Sequence, residues 1–375
     1  MFRLVILKPE GLKDLKDYSS MTDTIVLGLN HKTAAIEVRE KFFLNPTQQD
    51  LLLSELRSNP SVLEALALST CNRTEVYLHG LDVHNLLEPL ISLIAQIKKI
   101  ESPAEWKRHF YVYEGKEMIR HLFRVGCGLD SLVLGEKQIL GQVKTAVARA
   151  RQKGMFSRHF NILSNVVIRT AKKAQNETEI GCGGSSVGWA AIAMAERLFL
   201  SLRGKSILII GAGKLGELAL SQIRSKGVKN IYLINRTEST AQSLAQSCGG
   251  VAVSFCDIKE ILSEVDLCVC SAGAPHYILD KKTIEKVMRL RHNRKLTLID
   301  ISMPRNIDPQ VAGVEGVFLS HLDDLEKVVR KNMTKRESAI QDVERLIEYQ
   351  LTEFYKKLDK SENWDVEDSY KRLEV

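Results

Sequence analysis

Three features of the 375-residue sequence predict a multidomain α/β protein. The chain is longer than one hydrophobic core ordinarily supports. Short apolar runs alternate with helical patterns from Ser206 to about Leu319, which means a parallel, doubly wound sheet. Before that region lies a separate stretch of strand, helix and tight turn, so a smaller α/β unit precedes the sheet.

Taken in order, residues 24–29 alternate and are β-rich, 47–58 form a polar helical stretch, and 65–68 and 75–78 read as strands. Ser69-Thr70-Cys71-Asn72-Arg73 joins the last two as a turn at strand ends, where chemistry often sits. From Lys116 to about Ala174 the pattern is helical, with Met118, Leu122 and Val125 on one face. Gly181-Cys182-Gly183-Gly184-Ser185-Ser186 is the clearest linker. An alanine-rich helix over 188–202 leads into strands at 206–210, 230–234, 251–255, 265–270 and 296–301. Beyond Ser320 the chain is strongly charged, with Ile340, Val343, Ile347, Leu351, Phe354 and Leu358 close to helical spacing. A long amphipathic helix cannot bury such a stripe alone and needs another domain or a partner subunit. The predicted parts are an N-terminal extension (1–22), an α/β domain (23–178), a dinucleotide-type domain (179–319) and a C-terminal helical segment (320–375).

Composition narrows the function only slightly. Lys and Arg number 53 against 46 Asp and Glu, a net charge of +7 that weakly favours a polyanionic partner. The apolar run at residues 4–7 is followed at once by Lys8, Glu10, Lys13 and Asp14, unlike a signal peptide. The most apolar helix, 187–202, carries Glu196 and Arg197 near its centre and reads as buried rather than membrane-spanning. Cys71, Cys127, Cys182, Cys248, Cys256, Cys268 and Cys270 include no C-x-x-C pair and no zinc spacing, so reduced thiols in the cytoplasm and no metal are expected.

Gly211-Ala212-Gly213-Lys214-Leu215-Gly216 follows a strand and opens a helix, the context a Rossmann-type dinucleotide fingerprint requires. The first glycine permits the tight turn, the second lets the backbone approach a pyrophosphate, and the third lets helix meet strand. The helix N-terminus then receives the phosphates. The next strand ends in Asn235-Arg236-Thr237, where an NAD-selective site would usually place an acidic residue on the ribose. Arg236 suits a 2′-phosphate instead, so NADP(H) is expected. Ser271-Ala272-Gly273 and Met303-Pro304-Arg305 follow later strands and read equally well as ordinary turns or as cofactor neighbours.

A hydride donor needs an acceptor, and an ester carbonyl is deactivated by resonance; a cysteine that first captures the acyl group as a thioester removes that obstacle. Cys71 lies in a polar turn with Arg73 two positions on, a cation that could lower the thiol pKa. Residue chemistry alone favours an inert cysteine, because free cysteines in turns are common.

Longer blocks choose among the seven. Gly28-Leu29-Asn30-His31-Lys32-Thr33-Ala34, Ser69 through Thr74-Glu75, Gly128-Leu129-Asp130-Ser131-Leu132-Val133-Leu134-Gly135-Glu136 and Gln138-Ile139-Leu140-Gly141-Gln142-Val143-Lys144, with the Gly211 loop, resemble the glutamyl-tRNA reductase family over about residues 24–355. The resemblance implies that Cys71 is the nucleophile and that His121 is needed for activity. It further implies that Thr70, Asn72, Arg73, Ser131, Glu136, Lys137, Gln138 and Gln142 contact substrate, with Lys137 standing where many members carry proline. Arg73 suits the substrate carboxylate, because its planar guanidinium can bind bidentately; the alternative is a surface ion pair with Glu75. The implied reaction is NADPH-dependent reduction of glutamyl-tRNA(Glu) to glutamate-1-semialdehyde, the first step of five-carbon tetrapyrrole synthesis. It implies too a homodimer, through a shortened helical dimerisation domain, and a transient contact with the aminomutase that consumes the reactive aldehyde. The rivals are a shikimate-type dehydrogenase, which would not need Cys71, and a catalytically silent tRNA-binding paralogue, which would oxidise no NADPH.

Overall fold

A computed structural model describes residues 22–181, 186–223, 225–292, 294–325 and 337–373. Residues 1–21 of the predicted extension and 182–185 of the predicted linker lie outside them. The chain divides into two units at 182/183 and at 335/336, the C-terminal segment belonging to the first.

The first unit is built on an antiparallel sheet of strands β1 (Thr22–Asn30), β2 (Val62–Ser69), β3 (Arg73–Leu81) and β4 (Tyr111–Glu114), in the order β2-β3-β1-β4. Because successive side chains on a strand point to opposite faces, Arg73, Glu75 and Tyr77 share one face of β3, and Val76 and Leu78 the other. Strand β4 was not legible: it is four residues long, mostly exposed, and lacks an apolar alternation. The single helical region expected after Lys116 is three helices, Gly115–Gly126, Gln138–Gln152 and Arg158–Glu177. They are interrupted where Gly128, Gly135 and Gly154 take positive φ, which ends a right-handed helix. At Gly135 even a methyl group would lie 1.8 Å from the Ile180 carbonyl oxygen.

Helix Glu337–Leu373 lays Ala339, Val343, Ile347, Leu351 and Phe354 into the same core as Met118, Leu122 and Val167. It packs on helices Arg158–Glu177 and Gly115–Gly126. Arg120 to Glu348 (Nε to Oε1, 2.8 Å) and Arg124 to Glu344 tie its polar edge down. The amphipathic stripe is therefore covered by its own chain as far as Phe354.

The second unit carries an all-parallel sheet of β5 (Ser206–Ile210), β6 (Asn230–Ile234), β7 (Val251–Ala252), β8 (Leu267–Cys270), β9 (Leu296–Asp300) and β10 (Val317–His321). The strand order is β10-β9-β8-β5-β6-β7. Strands β5, β8 and β9 are buried along their whole length, which explains their unbroken apolar runs. The chain winds outward in both directions from β5 and β8, leaving a crevice at their carboxyl ends where doubly wound folds bind ligands. The strand expected over 251–255 is only two residues long, because Ser254 accepts from the Cys256 N–H (3.4 Å) and starts a 3-10 turn. The sixth strand lies where the sequence reading had the unit ending; the exposed Phe318 breaks its burial pattern.

Candidate functional site

The turn between β2 and β3 is shaped by its own side chains. Thr70 Oγ1 accepts from the backbone N–H groups of Asn72 (3.2 Å) and Arg73 (3.3 Å), and the Thr70 N–H donates to the Arg73 carbonyl at 2.8 Å. A threonine here stabilises the turn that presents Cys71. Arg39, from helix Ile36–Phe42 and 2% exposed, donates from Nη1 to the Cys71 carbonyl and to Asn72 Oδ1, both at 3.3 Å. Cys71 is half-buried. Burial pushes its thiol up to about 12, with Glu136 adding to the shift and Arg39, then Arg73, opposing it.

Arg73 does favour the thiolate, as its place in the turn suggested, but burial outweighs it. The Arg73 guanidinium is buried and already engaged: Nη1 donates to Glu75 Oε1 (2.7 Å) and Asp130 Oδ2 (3.0 Å), and Nη2 to the Asp130 carbonyl. Burial works against its charge, but Glu75 leads the groups that keep it protonated. Among cations, Arg39 stands ahead of Arg73 in favouring a thiolate at Cys71. Sequence reading missed Arg39 because it lies 32 positions away in a helix with no motif of its own.

His121, on helix Gly115–Gly126, sits over the polar face of β3, with Nε2 2.8 Å from Glu75 Oε1. Tyr77 donates to Glu75 Oε2 at 2.6 Å, and the Tyr111 hydroxyl donates to Oε1. Burial opposes the Glu75 charge, yet Arg73 and then His121 hold its carboxyl well below the usual carboxylate range. Asp130 extends the row by accepting from Lys32 Nζ and from Asn30 Nδ2 (3.3 Å). Thus His121, Arg73 and the Cys71 turn are joined through Glu75, the ion-pair partner weighed for Arg73 but buried rather than at the surface, and through Tyr77, Tyr111 and Asp130, which the sequence reading did not single out. Period-two polarity over Arg73, Glu75, Tyr77 and His79 was the available signal, but it looks like a solvated face.

Of the remaining expected contacts, Glu136 is buried and acts on Cys71, Ser131 is half-buried, and Lys137 is exposed. Gln138 and Gln142 stand one turn apart at the start of helix Gln138–Gln152. The Gln138 side-chain nitrogen is buried with no hydrogen-bond partner among the described residues.

In the second unit, Gly211 (φ +102°) closes the turn after β5, and an added methyl there would meet the Ala272 backbone at 2.8 Å. At Gly216 it would lie 2.1 Å from the Gly211 carbonyl oxygen, whereas at Gly213 it would meet nothing within 4 Å. Two glycines are thus demanded by packing, and the third leaves open backbone at the start of helix Lys214–Ile223. This arrangement fits a pyrophosphate. Asn235 Oδ1 accepts from the Ala212 N–H (3.2 Å), so its side chain props the loop. Arg236 and Thr237 are exposed beside it, as are Gly213 and Lys214; Leu215 is half-buried and Ala212 buried. Ser271 Oγ donates to the Gly211 carbonyl (3.1 Å), which puts the Ser271-Ala272-Gly273 turn against the loop.

Two family models match the chain: the N-terminal domain of glutamyl-tRNA(Glu) reductase over residues 27–178, and shikimate/quinate 5-dehydrogenase over residues 193–328. A protein named glutamyl-tRNA reductase from Thermodesulfovibrio yellowstonii is 38% identical over 90% of this chain and 80% of its own length. One from Bacillus subtilis is 38% identical over 88% of this chain and 72% of its own. The solved glutamyl-tRNA reductase of Methanopyrus kandleri is 33% identical, covering 90% of this chain and 80% of that one with a TM-score of 0.50. The dehydrogenase match is confined to the doubly wound unit, as a shared dinucleotide-binding half would give. With relatives aligned along nearly the whole of both units, the chain belongs to the glutamyl-tRNA reductase family of oxidoreductases.

Proposed function

We propose that this protein reduces glutamyl-tRNA(Glu) with NADPH to glutamate-1-semialdehyde, releasing free tRNA, through a thioester on Cys71. The observation that carries the reading is the presentation of Cys71 on a turn held by Thr70 and Arg39, adjoining the buried row of Arg73, Glu75 and His121.

The Cys71 sulfur attacks the ester carbonyl of the aminoacyl-tRNA; the C–S bond forms as the bond to the ribose oxygen breaks. With the thiol held high by burial and Glu136, attack requires that its proton be moved. His121 carries that proton to the departing ribose hydroxyl. Gln138, with its buried donor, and Gln142 bind the glutamyl group alongside Thr70, Asn72, Ser131, Glu136 and Lys137. With Nη1 and Nη2 held by Glu75 and Asp130, Arg73 acts on a substrate carboxylate as a fixed positive charge. The Gly211 loop and Arg236 would hold NADPH, which when bound would supply the hydride that reduces the thioester carbonyl. Cys71 then departs as a thiolate as the carbonyl re-forms, giving the aldehyde, and regains a proton from solvent.

Arg236 supports NADPH over NADH: it stands exposed at the end of β6 beside the loop, where a 2′-phosphate would lie. No helix among the described residues is long and apolar enough to cross a membrane, and the six described cysteines are all free, which supports a cytoplasmic setting. The proposal includes a homodimer, which sedimentation at micromolar concentration would detect, and a transient complex with the aminomutase that takes up the aldehyde.

The test is NADPH oxidation with glutamyl-tRNA(Glu) by the wild type and by Cys71→Ser. Turnover by the wild type and none by the variant is expected. Equal oxidation by both would favour a small-molecule dehydrogenase, and none by either a silent tRNA-binding paralogue.

A further inference from the structure

We propose that Glu75 is a positioning residue that fixes the tautomer of His121, leaving Nδ1 as the nitrogen through which His121 exchanges protons with the substrate. The inference rests on the acid/base reading of His121 given above.

A carboxylate has about four acceptor sites, and four donors surround this one. Arg73 Nη1 (2.7 Å), His121 Nε2 (2.8 Å) and the Tyr111 hydroxyl meet Oε1, and the Tyr77 hydroxyl (2.6 Å) meets Oε2. Ionised and fully buried, Glu75 can only accept, so the hydrogen between it and His121 belongs to Nε2. A neutral imidazole protonated at Nε2 keeps its lone pair on Nδ1. Nδ1 makes no hydrogen bond among the described residues.

The same arrangement disfavours Glu75 as a base, because three donors crowd Oε1 and Arg73 opposes its protonation. The sheet is built to permit the contact. Gly28 lies on β1 opposite both Glu75 on β3 and Tyr111 on β4. A methyl at Gly28 would lie 2.8 Å from Glu75 Cγ and from Tyr111 Cζ. The imidazole is also confined by rings, with centroids 4.9 Å from Tyr113, 5.5 Å from Tyr111 and 6.4 Å from Tyr77. A buried acceptor that orients a working histidine through its second nitrogen is the same device that orients metal-bound histidines, where its loss typically costs about 10–100-fold.

The experiment uses the full chain labelled with 15N-histidine, the His121 resonances being identified by their loss in His121→Asn. Above the titration of the imidazole, Nε2–H with an unprotonated Nδ1 is expected; Nδ1–H would overturn the inference, and this reading needs no variant at position 75. In Glu75→Gln, the neutral His121 should no longer be held in the Nε2–H form alone and kcat should fall about 10–100-fold, with KM for glutamyl-tRNA within about twofold and Glu75→Asp restoring part of the loss. An unchanged tautomer and kcat in Glu75→Gln would overturn it equally. Wild-type turnover by His121→Asn would overturn the acid/base reading itself. An inactive His121→Asn beside an Nδ1–H tautomer in the wild type would overturn the role of Glu75 alone.

Discussion

Each unit buries a carboxylate completely, and the two are held in opposite ways. Glu75 in the first unit is surrounded by side-chain donors, including the Arg73 cation and His121, and its carboxyl is held low. Asp300 at the end of β9 accepts backbone N–H groups from Ser302 (3.0 Å), Asn306 (2.8 Å) and Ile307 (2.8 Å); burial outweighs them, and its carboxyl is raised. The contrast separates an ionised row of side chains from a cap that folds a loop. It also separates the two candidate sites: one is made of side chains from distant segments, the other mainly of backbone and glycine.

The largest expected effect comes from removing the carboxylate that the first unit depends on. Glu75→Ala leaves Arg73 and His121 facing a cavity, and loss of one partner from a buried ion pair costs about 3–5 kcal/mol. Thermal melting should show a fall of about 10 °C in the first unit, and a change below about 1 °C would mean that the row is not energetically coupled. A smaller loss is expected in the second unit, where Arg236→Ala removes a charge-assisted contact of about 1.5–3 kcal/mol. KM for NADPH should rise by roughly 10–100-fold while KM for NADH hardly moves; equal effects on both would remove the case for the 2′-phosphate.

Acid sharpens the comparison next. The low carboxyl of Glu75 contributes stability that is present above the ordinary carboxylate pKa and is lost as pH falls through its folded value. His31, pushed from 6.5 to about 4 by burial and then Arg73, takes up its proton in the unfolded chain first, so stability falls as pH drops from 6.5 to about 4. The raised Asp300 has the opposite sign: its contribution is present below the unfolded pKa and is lost as pH rises through the folded one. Hydrogen exchange during acidification should therefore open the first unit before the second, and the reverse order would contradict these assignments. The smallest effect belongs to Arg120→Ala, which breaks the partly exposed Glu117 and Glu348 pairs and should cost less than about 1 kcal/mol in chemical denaturation.

The second unit was the more legible in sequence, because its strands are continuous apolar runs and its loop geometry demands glycine at Gly211 and Gly216. What failed there was short or exposed: β7 is cut by the Ser254 turn, and β10 carries Phe318 outward. In the first unit the Cys71 turn was readable, but its environment was not. Arg39, Tyr111 and Asp130 come from separate elements and meet only in the fold, and Glu75 and Tyr77 occupy positions that alternate like a solvent-facing strand. The apolar stripe of the C-terminal helix was read correctly as needing cover, yet its spacing could not say that helices Gly115–Gly126 and Arg158–Glu177 would provide it.

The central claim is that Cys71 carries the glutamyl group. Mixing the protein with glutamyl-tRNA(Glu) in the absence of NADPH, and mapping adducts by mass spectrometry, addresses it directly. The account predicts a hydroxylamine-labile glutamyl adduct on Cys71 of the wild type, discharged on adding NADPH and absent from Cys71→Ser. A wild-type protein that oxidises NADPH with glutamyl-tRNA yet forms no adduct on Cys71, or a Cys71→Ser variant that turns over equally well, would contradict it.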